Sequence, residues 1–123
     1  IKDYVFNLHN ASRLEHLLIG EGVFDAIKMG PRAVCLFGKT ASSLQIAKIL
    51  NAKPQRISIV LDPDAKLEAN KLALQLVSHV PDVRICTLPE SVDAGSATPF
   101  QLKEALSKYT TPNTSYMFDF INL

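Results

Sequence analysis

Four short apolar runs alternate with helical stretches along this chain, and that alternation constrains the fold more than any other feature. The runs cover residues 16–19, 33–37, 57–61 and 83–88, and their composition is that of strands buried on both faces of a sheet. Helical periodicity covers residues 23–29, 41–50 and 65–79 between them. Strands that alternate with helices of this length predict βαβ units and a mostly parallel four-stranded sheet, so the expected fold class is α/β.

A fourth helix is predicted to begin at Pro99, close to the C-terminal end of this pattern. Thr98 is the expected N-cap, Pro99 suits the first helical position, and Gln101 completes a capping box with Thr98. One more apolar run follows at residues 116–123. We therefore expect one catalytic domain over residues 1–110 and a C-terminal extension, residues 111–123, that adds a strand or links to a following domain.

Composition narrows the class of protein. With 47% hydrophobic and 20% charged residues, the chain has the balance of an ordinary globular domain rather than a disordered one. The net charge of +1 provides no strong cationic field, so nucleic-acid affinity must come from a local patch, a bridging metal or neighbouring segments.

The two cysteines and the hydropathy of the chain indicate the cellular compartment of the protein. Cys35 and Cys86 lie inside apolar runs and are expected to be reduced core residues, without the spacing of a zinc site. No apolar run approaches the length of a membrane span, and no signal peptide is evident. These features favour a cytoplasmic protein without a membrane partner. Because the chain begins at Ile1 rather than Met, we expect it to be a fragment of a larger protein.

Carboxylates follow two of the apolar runs at the points where the predicted strands end. Glu21 follows the first run, and Asp62 and Asp64 follow the third. Because ligands collect beyond the carboxyl ends of parallel strands, these acids are expected to converge at one edge of the sheet. Converging carboxylates repel each other and are tolerated mainly around a divalent cation. The sequence therefore predicts a metal site formed by Glu21, Asp62 and Asp64.

The Asp62-Pro63-Asp64 segment has two interpretations. In an extended segment residues i and i+2 point the same way, so both carboxylates face one site, and Pro63 stiffens that arrangement. Alternatively, the segment is a turn after a strand, with Asp64 as the N-cap of the following helix. Asp64 can serve in both roles.

Two further acids are candidates for the same site. Asp25, four residues after Glu21, falls in the first turn of the next predicted helix. The alternative is that Glu21 and Asp25 merely complement the positive end of that helix. Asp93 follows the fourth predicted strand and is either a second-metal ligand or part of an ordinary acidic turn.

The Gly38-Lys39-Thr40 segment follows the second predicted strand at the same edge. It is not a complete P-loop, because Ala33 stands where the first glycine of that motif is needed. We expect Thr40 to cap a helix whose N-terminal amides, together with Lys39, hold a phosphate. The alternative is a simple strand–turn–helix connection with a solvated lysine.

Taken together, these motifs resemble the TOPRIM domain over roughly residues 10–108. The resemblance is closest to the primase branch, especially phage-type primases and primase-helicases. Residues 21–26 are similar to the first primase motif, and residues 36–40 with Gln45 are similar to the strand–glycine–helix segment that follows it. The Leu88-Pro89 pair, with Asp93, occupies the place of a loop that bears further acids.

The resemblance implies a TOPRIM-like, Rossmann-like sheet and Mg²⁺-dependent nucleotidyl transfer, with Mn²⁺ as a substitute. The implied activity is the synthesis of RNA primers from nucleoside triphosphates on single-stranded DNA during replication. By position, Glu21 resembles the family's glutamate, which acts as a ligand or general acid/base. Asp62 and Asp64 match the Asp-x-Asp pair that binds magnesium, and Asp25 and Asp93 match auxiliary acids.

Two other functions remain open for a domain of this type. The same metal site can hydrolyse DNA, as in TOPRIM nucleases, or the domain can be a non-catalytic scaffold in a replication or repair complex. The resemblance also implies zinc-binding or helicase modules in the parent protein, and a place in a bacterial or phage-infected cytoplasm. Topoisomerase activity is disfavoured, because Tyr4, Tyr109 and Tyr116 lie near the termini.

Overall fold

Strands and helices alternate along the chain in the predicted order. The computed structural model describes residues 4–36, 40–89, 92 and 96–112. In chain order its elements are α1 (Leu8–Ala11), β1 (His16–Gly20), α2 (Val23–Met29), β2 (Ala33–Cys35), α3 (Ser43–Asn51), β3 (Arg56–Leu61), a 3-10 turn (Pro63–Ala65), α4 (Lys66–Leu76), β4 (Asp82–Thr87) and α5 (Pro99–Ser107). Within these ranges no helix is long and apolar enough to cross a membrane.

The four strands form one sheet in the order β2-β1-β3-β4, and all neighbouring strands are parallel. Ile19 of β1 is level with Val34 of β2 on one side and with Ile59 of β3 on the other. The chain therefore moves from β1 outward to β2, and then crosses back over β1 to reach β3. This reversal makes the gap between β1 and β3 a topological switch point, where open parallel sheets form ligand crevices beyond the strand ends.

Alternate side chains of the strands enter two separate cores, one on each face of the sheet. On one face, strand residues pack with α3 and α4, and the buried members include Leu17, Ile19, Val34, Ile57, Ile59, Ile49, Leu72 and Leu76. The other face packs with α2 and α5, and its buried members include Leu18, Ala33, Cys35, Val60, Cys86, Ala26, Met29 and Ala105. Burial on both faces explains why β1, β2 and most of β3 are apolar at successive positions. The expectation of burial on both faces is wrong for β4, an edge strand in which only Val83 and Cys86 are buried.

The structure confirms the predicted start of α5 but not the predicted start of α4. The capping box of α5 is as predicted, with Thr98 Oγ1 accepting from Gln101 N at 3.1 Å and Gln101 Oε1 accepting from Thr98 N at 2.9 Å. The prediction that Asp64 caps the next helix is wrong, because Ala65 is the N-cap of α4. A 3-10 turn takes up Pro63–Ala65, so Asp64 lies inside that turn, before the helix begins.

After α5 the chain returns to the free edge of β4. Thr110 forms an antiparallel bridge with Ile85, with N–H···O distances of 2.8 and 2.9 Å. Beside it, the guanidinium carbon of Arg84 lies 3.9 Å from the centre of the Tyr109 ring. The predicted extra strand at residues 116–123 lies outside the described residues.

Both cysteines are free and buried, as the sequence predicts for core residues. Burial raises the pKa of Cys86 to about 11, and a hydrogen bond with Ser58 acts in the opposite direction. The neutral thiol is therefore the form that the folded protein contains at neutral pH.

The raised pKa of Cys86 predicts a loss of stability at alkaline pH. Because the thiol pKa goes from 9.0 to about 11 on folding, the folded state binds more protons than the unfolded state between these pH values. The free energy of unfolding should therefore fall as pH rises through this window. Urea unfolding at a series of pH values measures it, and Cys86→Ala should show a shallower decline than the native chain. Parallel declines in the two proteins would contradict the assignment to Cys86.

Candidate functional site

Glu21 and Asp62 emerge from neighbouring strands at the carboxyl edge of the sheet. Glu21 directly follows β1 and Asp62 directly follows β3. Because β1 and β3 are hydrogen-bonded with Ile19 level with Ile59, the two acids leave the sheet on the same side of the molecule. Both residues are partly buried. The switch point between β1 and β3 therefore has one carboxylate on each of its sides.

Asp64 lies in a different setting from Asp62. The backbone of Asp62 is extended, with φ −60° and ψ 154°, but Asp64 is in the 3-10 turn and is exposed. The expectation that both acids share one extended segment is therefore wrong. With about three residues per turn, residues i and i+2 of such a turn point in different directions. The role of Asp64 in binding a metal stays a prediction.

Asp25 lies at the start of α2, where its carboxylate has a local partner. Its Oδ2 accepts a hydrogen bond from Gly22 N at 3.3 Å. An acid in the first turn also stabilises the positive end of the helix. This contact agrees with the helix-start interpretation of Asp25, and its auxiliary metal role stays a prediction.

A divalent cation requires oxygen ligands that lie close together. In the part of the chain that the structure describes, no three His, Cys, Asp or Glu residues gather into a group able to hold a metal. A cage made by protein ligands alone is therefore not formed by Glu21, Asp62 and Asp64. Mg²⁺ needs less, because it binds through one or two carboxylates and completes its shell with water and substrate phosphates. Glu21 and Asp62 have the carboxylate oxygens that such binding uses, and Mg²⁺ binding by them stays a prediction.

The glycine-containing segment after β2 is only partly described. Gly38 and Lys39 lie outside the described residues, as does Asp93 after β4. Thr40 is described and exposed, but it is not the helix cap that the sequence predicts. The N-cap of α3 is Ser42, whose Oγ accepts from Gln45 N at 3.1 Å. The helix begins later than predicted because Ser42 and Gln45 form a complete capping box.

Gln45 connects the end of β2 to the start of α3, a role that the sequence does not reveal. Its side chain is 1% exposed, and Nε2 donates to the carbonyl oxygens of Leu36 at 3.0 Å and Tyr4 at 2.9 Å. Its Oε1 accepts from Ser42 N at 2.9 Å. Leu36 directly follows β2, so Gln45 fastens the carboxyl end of that strand to the start of α3. The capping-box spacing was visible in the sequence, but the two carbonyl contacts were not.

Gln45→Ala is expected to destabilise the fold by about 2–3 kcal/mol, because it leaves two carbonyl groups and one amide without their buried partner. Gln101→Ala removes the equivalent capping-box residue of α5, where the hydrogen bonds are exposed, and should cost about 1 kcal/mol or less. Urea unfolding of both variants measures the difference. Equal losses would show that the carbonyl contacts of Gln45 contribute nothing beyond the helix cap.

The amino edge of the sheet contains an acid with a structural role. Arg84 donates to both carboxylate oxygens of Asp82 at 3.0 Å, and Arg56 Nε donates at 2.9 Å. The hydrogen bonds from Arg84 and then from Arg56 hold the pKa of Asp82 below its usual value. The ion pair between Asp82 and Arg56 links the first residues of β4 and β3. Because two guanidinium groups already neutralise this carboxylate, Asp82 is no candidate for a cation site.

Comparison with known proteins gives matches at the level of structure. No family model matches the sequence, and no curated protein matches it. The catalytic core of DnaG matches with a TM-score of 0.74 at 16% identity, over 96% of this chain and 43% of that one. The zinc-binding and RNA polymerase domains of the Aquifex aeolicus primase match with a TM-score of 0.67 at 18% identity, over 89% of this chain and 31% of that one.

A third match is the RNA polymerase domain of the Mycobacterium tuberculosis primase DnaG, with a TM-score of 0.63 at 16% identity, over 88% of this chain and 41% of that one. The chain thus spans less than half the length of each of these structures. The likeness concerns the fold, and the parallel four-stranded sheet with flanking helices is the architecture that the sequence predicts. The chain therefore has a TOPRIM-like α/β fold of the kind found in primase catalytic cores.

Proposed function

We propose that this chain is the catalytic domain of a DNA primase that joins ribonucleotides into a primer on single-stranded DNA, in a Mg²⁺-dependent reaction. The observation that carries the proposal is the position of Glu21 and Asp62 on the two sides of the β1/β3 switch point. The fold likeness to primase catalytic cores supports this choice among the reactions of which a carboxylate pair is capable.

Each acid of the site has a role in this proposal. Mg²⁺, if bound here, would supply charge neutralisation on the triphosphate. Asp62 would provide carboxylate oxygens for the ion, and Asp64, in the adjoining 3-10 turn, is proposed as a further ligand. Glu21 accepts the proton of the primer's 3′-hydroxyl as its oxygen attacks the α-phosphorus and pyrophosphate leaves, or it acts as a further ligand.

The remaining candidate residues are assigned to the rim of the same site. Asp25 and Asp93 are proposed as auxiliary acids. Gly38, Lys39 and Thr40 are proposed to contact a phosphate of the incoming nucleotide. These residues follow or flank strands whose carboxyl ends share the edge with Glu21 and Asp62, which is where substrates of parallel sheets bind.

The sheet supports this role by holding the two principal acids in place. β1 is hydrogen-bonded to β2 and β3, and β3 is hydrogen-bonded to β1 and β4. Strands that are paired on both sides leave their terminal residues little freedom to move apart. Carboxylates held in this way need little reorganisation during the reaction, which is how positioning lowers a barrier.

Template binding is proposed to require more of the parent protein. A net charge of +1 gives the chain little general attraction for the phosphate backbone. One of the matched structures contains a zinc-binding domain besides its RNA polymerase domain. We therefore propose that a zinc-binding or helicase module supplies template affinity, and that the whole acts in the cytoplasm of a bacterium or a phage-infected cell.

The product of the reaction tests the proposal. The full-length protein is incubated with single-stranded DNA, ribonucleoside triphosphates and Mg²⁺, and alkali-labile oligonucleotides that depend on the template are expected. Chelation should abolish them and Mn²⁺ should restore them. Cleavage of the DNA without triphosphates would instead identify a nuclease, and the absence of both activities would favour a scaffold.

A further inference from the structure

A groove between α2 and α5 has a cationic rim. It has a volume of about 260 Å³, and its charged lining residues are Lys28, Arg32 and Lys103. All three are exposed, and within the described residues none of them forms an ion pair. Three unbalanced cations in one small groove are notable in a chain whose net charge is only +1.

The floor of this groove is aliphatic. Met29 and Leu18 are buried beneath it, and Leu102 and Leu106 are partly buried along its α5 side. No aromatic ring is among the described residues that line it. Grooves that bind single-stranded nucleic acid without sequence preference use aromatic rings as stacking platforms. An aliphatic floor instead suits an apolar side chain of a peptide.

The groove lies away from the candidate catalytic edge. Helix α2 begins just after Glu21 and runs for seven residues, or about 10 Å, to the groove at Met29. Beyond it, the carbonyl oxygen of Arg32 accepts from Leu18 N at 3.0 Å beside the start of β2. An occupant of the groove therefore lies towards the amino ends of the strands, where it does not block Glu21 or Asp62.

We propose that this groove binds an acidic peptide segment of a partner protein. An apolar side chain of the peptide occupies the aliphatic floor, and carboxylates on either side of it pair with Lys28, Arg32 and Lys103. Charge complementarity of this kind favours fast and selective association. The proposal is independent of the reaction assigned to Glu21 and Asp62, since it rests on a different surface.

A labelled peptide that alternates glutamate with leucine and phenylalanine is the probe, and fluorescence anisotropy with the full chain at low salt measures its binding. The double variant Lys28→Gln/Lys103→Gln should bind it about tenfold more weakly, since each exposed charge pair contributes up to about fivefold. The control Lys66→Gln/Lys71→Gln removes two exposed charges from α4, on the opposite face, and should bind like the native chain.

Matched peptides separate charge from apolar contact. Replacing the glutamates with glutamine, or the leucines and phenylalanines with serine, should each abolish saturable binding. Lack of saturable binding of the original peptide up to millimolar concentration overturns the proposal. An oligodeoxythymidine that displaces the peptide, with an affinity that also depends on Lys28 and Lys103, overturns it in favour of a nucleic-acid groove.

Discussion

Asp62→Asn is expected to lower kcat/KM for primer synthesis by about 10²- to 10⁴-fold, the range over which a catalytic acid, base or metal ligand usually acts. Asparagine keeps the shape of the side chain but removes the charge that attracts the cation. Because Asp62 lies just after β3 and outside its hydrogen-bonded ladder, the substitution should leave the sheet intact. Primer yield at saturating Mg²⁺, with urea unfolding of the same sample, separates lost chemistry from lost folding.

Glu21→Gln should reduce activity over the same range, and the double variant should lose little more than either single one, since the two acids act on one reaction. Glu15→Gln is the matched control. Glu15 is exposed and directly precedes β1, so it allows the same substitution at the opposite end of that strand from Glu21. Full activity of Asp62→Asn, or an equal loss in Glu15→Gln, would remove the basis for the proposed site.

The second large effect concerns stability. Ile59 is fully buried at the middle of β3, level with Ile19 on one neighbouring strand and Ile85 on the other. Ile59→Ala should lower the free energy of unfolding by about 2–5 kcal/mol, from the lost transfer energy and the cavity that remains. That loss is a large part of the roughly 5–15 kcal/mol that holds a typical domain together.

Equilibrium urea unfolding measures this loss, and two further variants calibrate it. Ile59→Val removes a single methyl group and should cost about 0.5–1.5 kcal/mol. Val77→Ala, at a position 43% exposed near the end of α4, should change stability by about 0.5 kcal/mol or less. A cost for Ile59→Ala no greater than that for Val77→Ala would mean that this face of the sheet is not tightly packed.

β1, β2 and β3 were predictable because burial on both faces leaves nearly unbroken apolar runs, but the residues at which the strands end were harder to predict. β2 was expected over residues 33–37 and extends over Ala33–Cys35. Helix α1 was not predicted, because four residues give too short a pattern. Its position depends on tertiary contacts, including Asn7 Nδ2 donating to the carbonyl oxygens of Pro31 and Ala33 at 3.1 and 3.0 Å.

The candidate site was predictable in its location and less so in its geometry. Strand polarity alone brings Glu21 and Asp62 to one edge, whatever the side chains around them. The direction of Asp64 depends on whether Pro63 continues the strand or begins a turn, and both are compatible with proline. The cationic groove was not predictable, because Lys28 and Lys103 come together only when α5 packs on the face that α2 also covers.

The placement of β3 beside β1 also determines when the site can come into existence. His16 of β1 pairs with Arg56 of β3, 40 positions further along the chain, after β2 and α3 have intervened. Contacts between such distant segments form late, because closing a long loop costs entropy before the contact is made. A chain that has formed only β1, α2 and β2 has Glu21 in place but no counterpart for it. The pair of carboxylates thus requires the long-range pairing of β1 with β3, and a fragment that ends before β3 does not contain it.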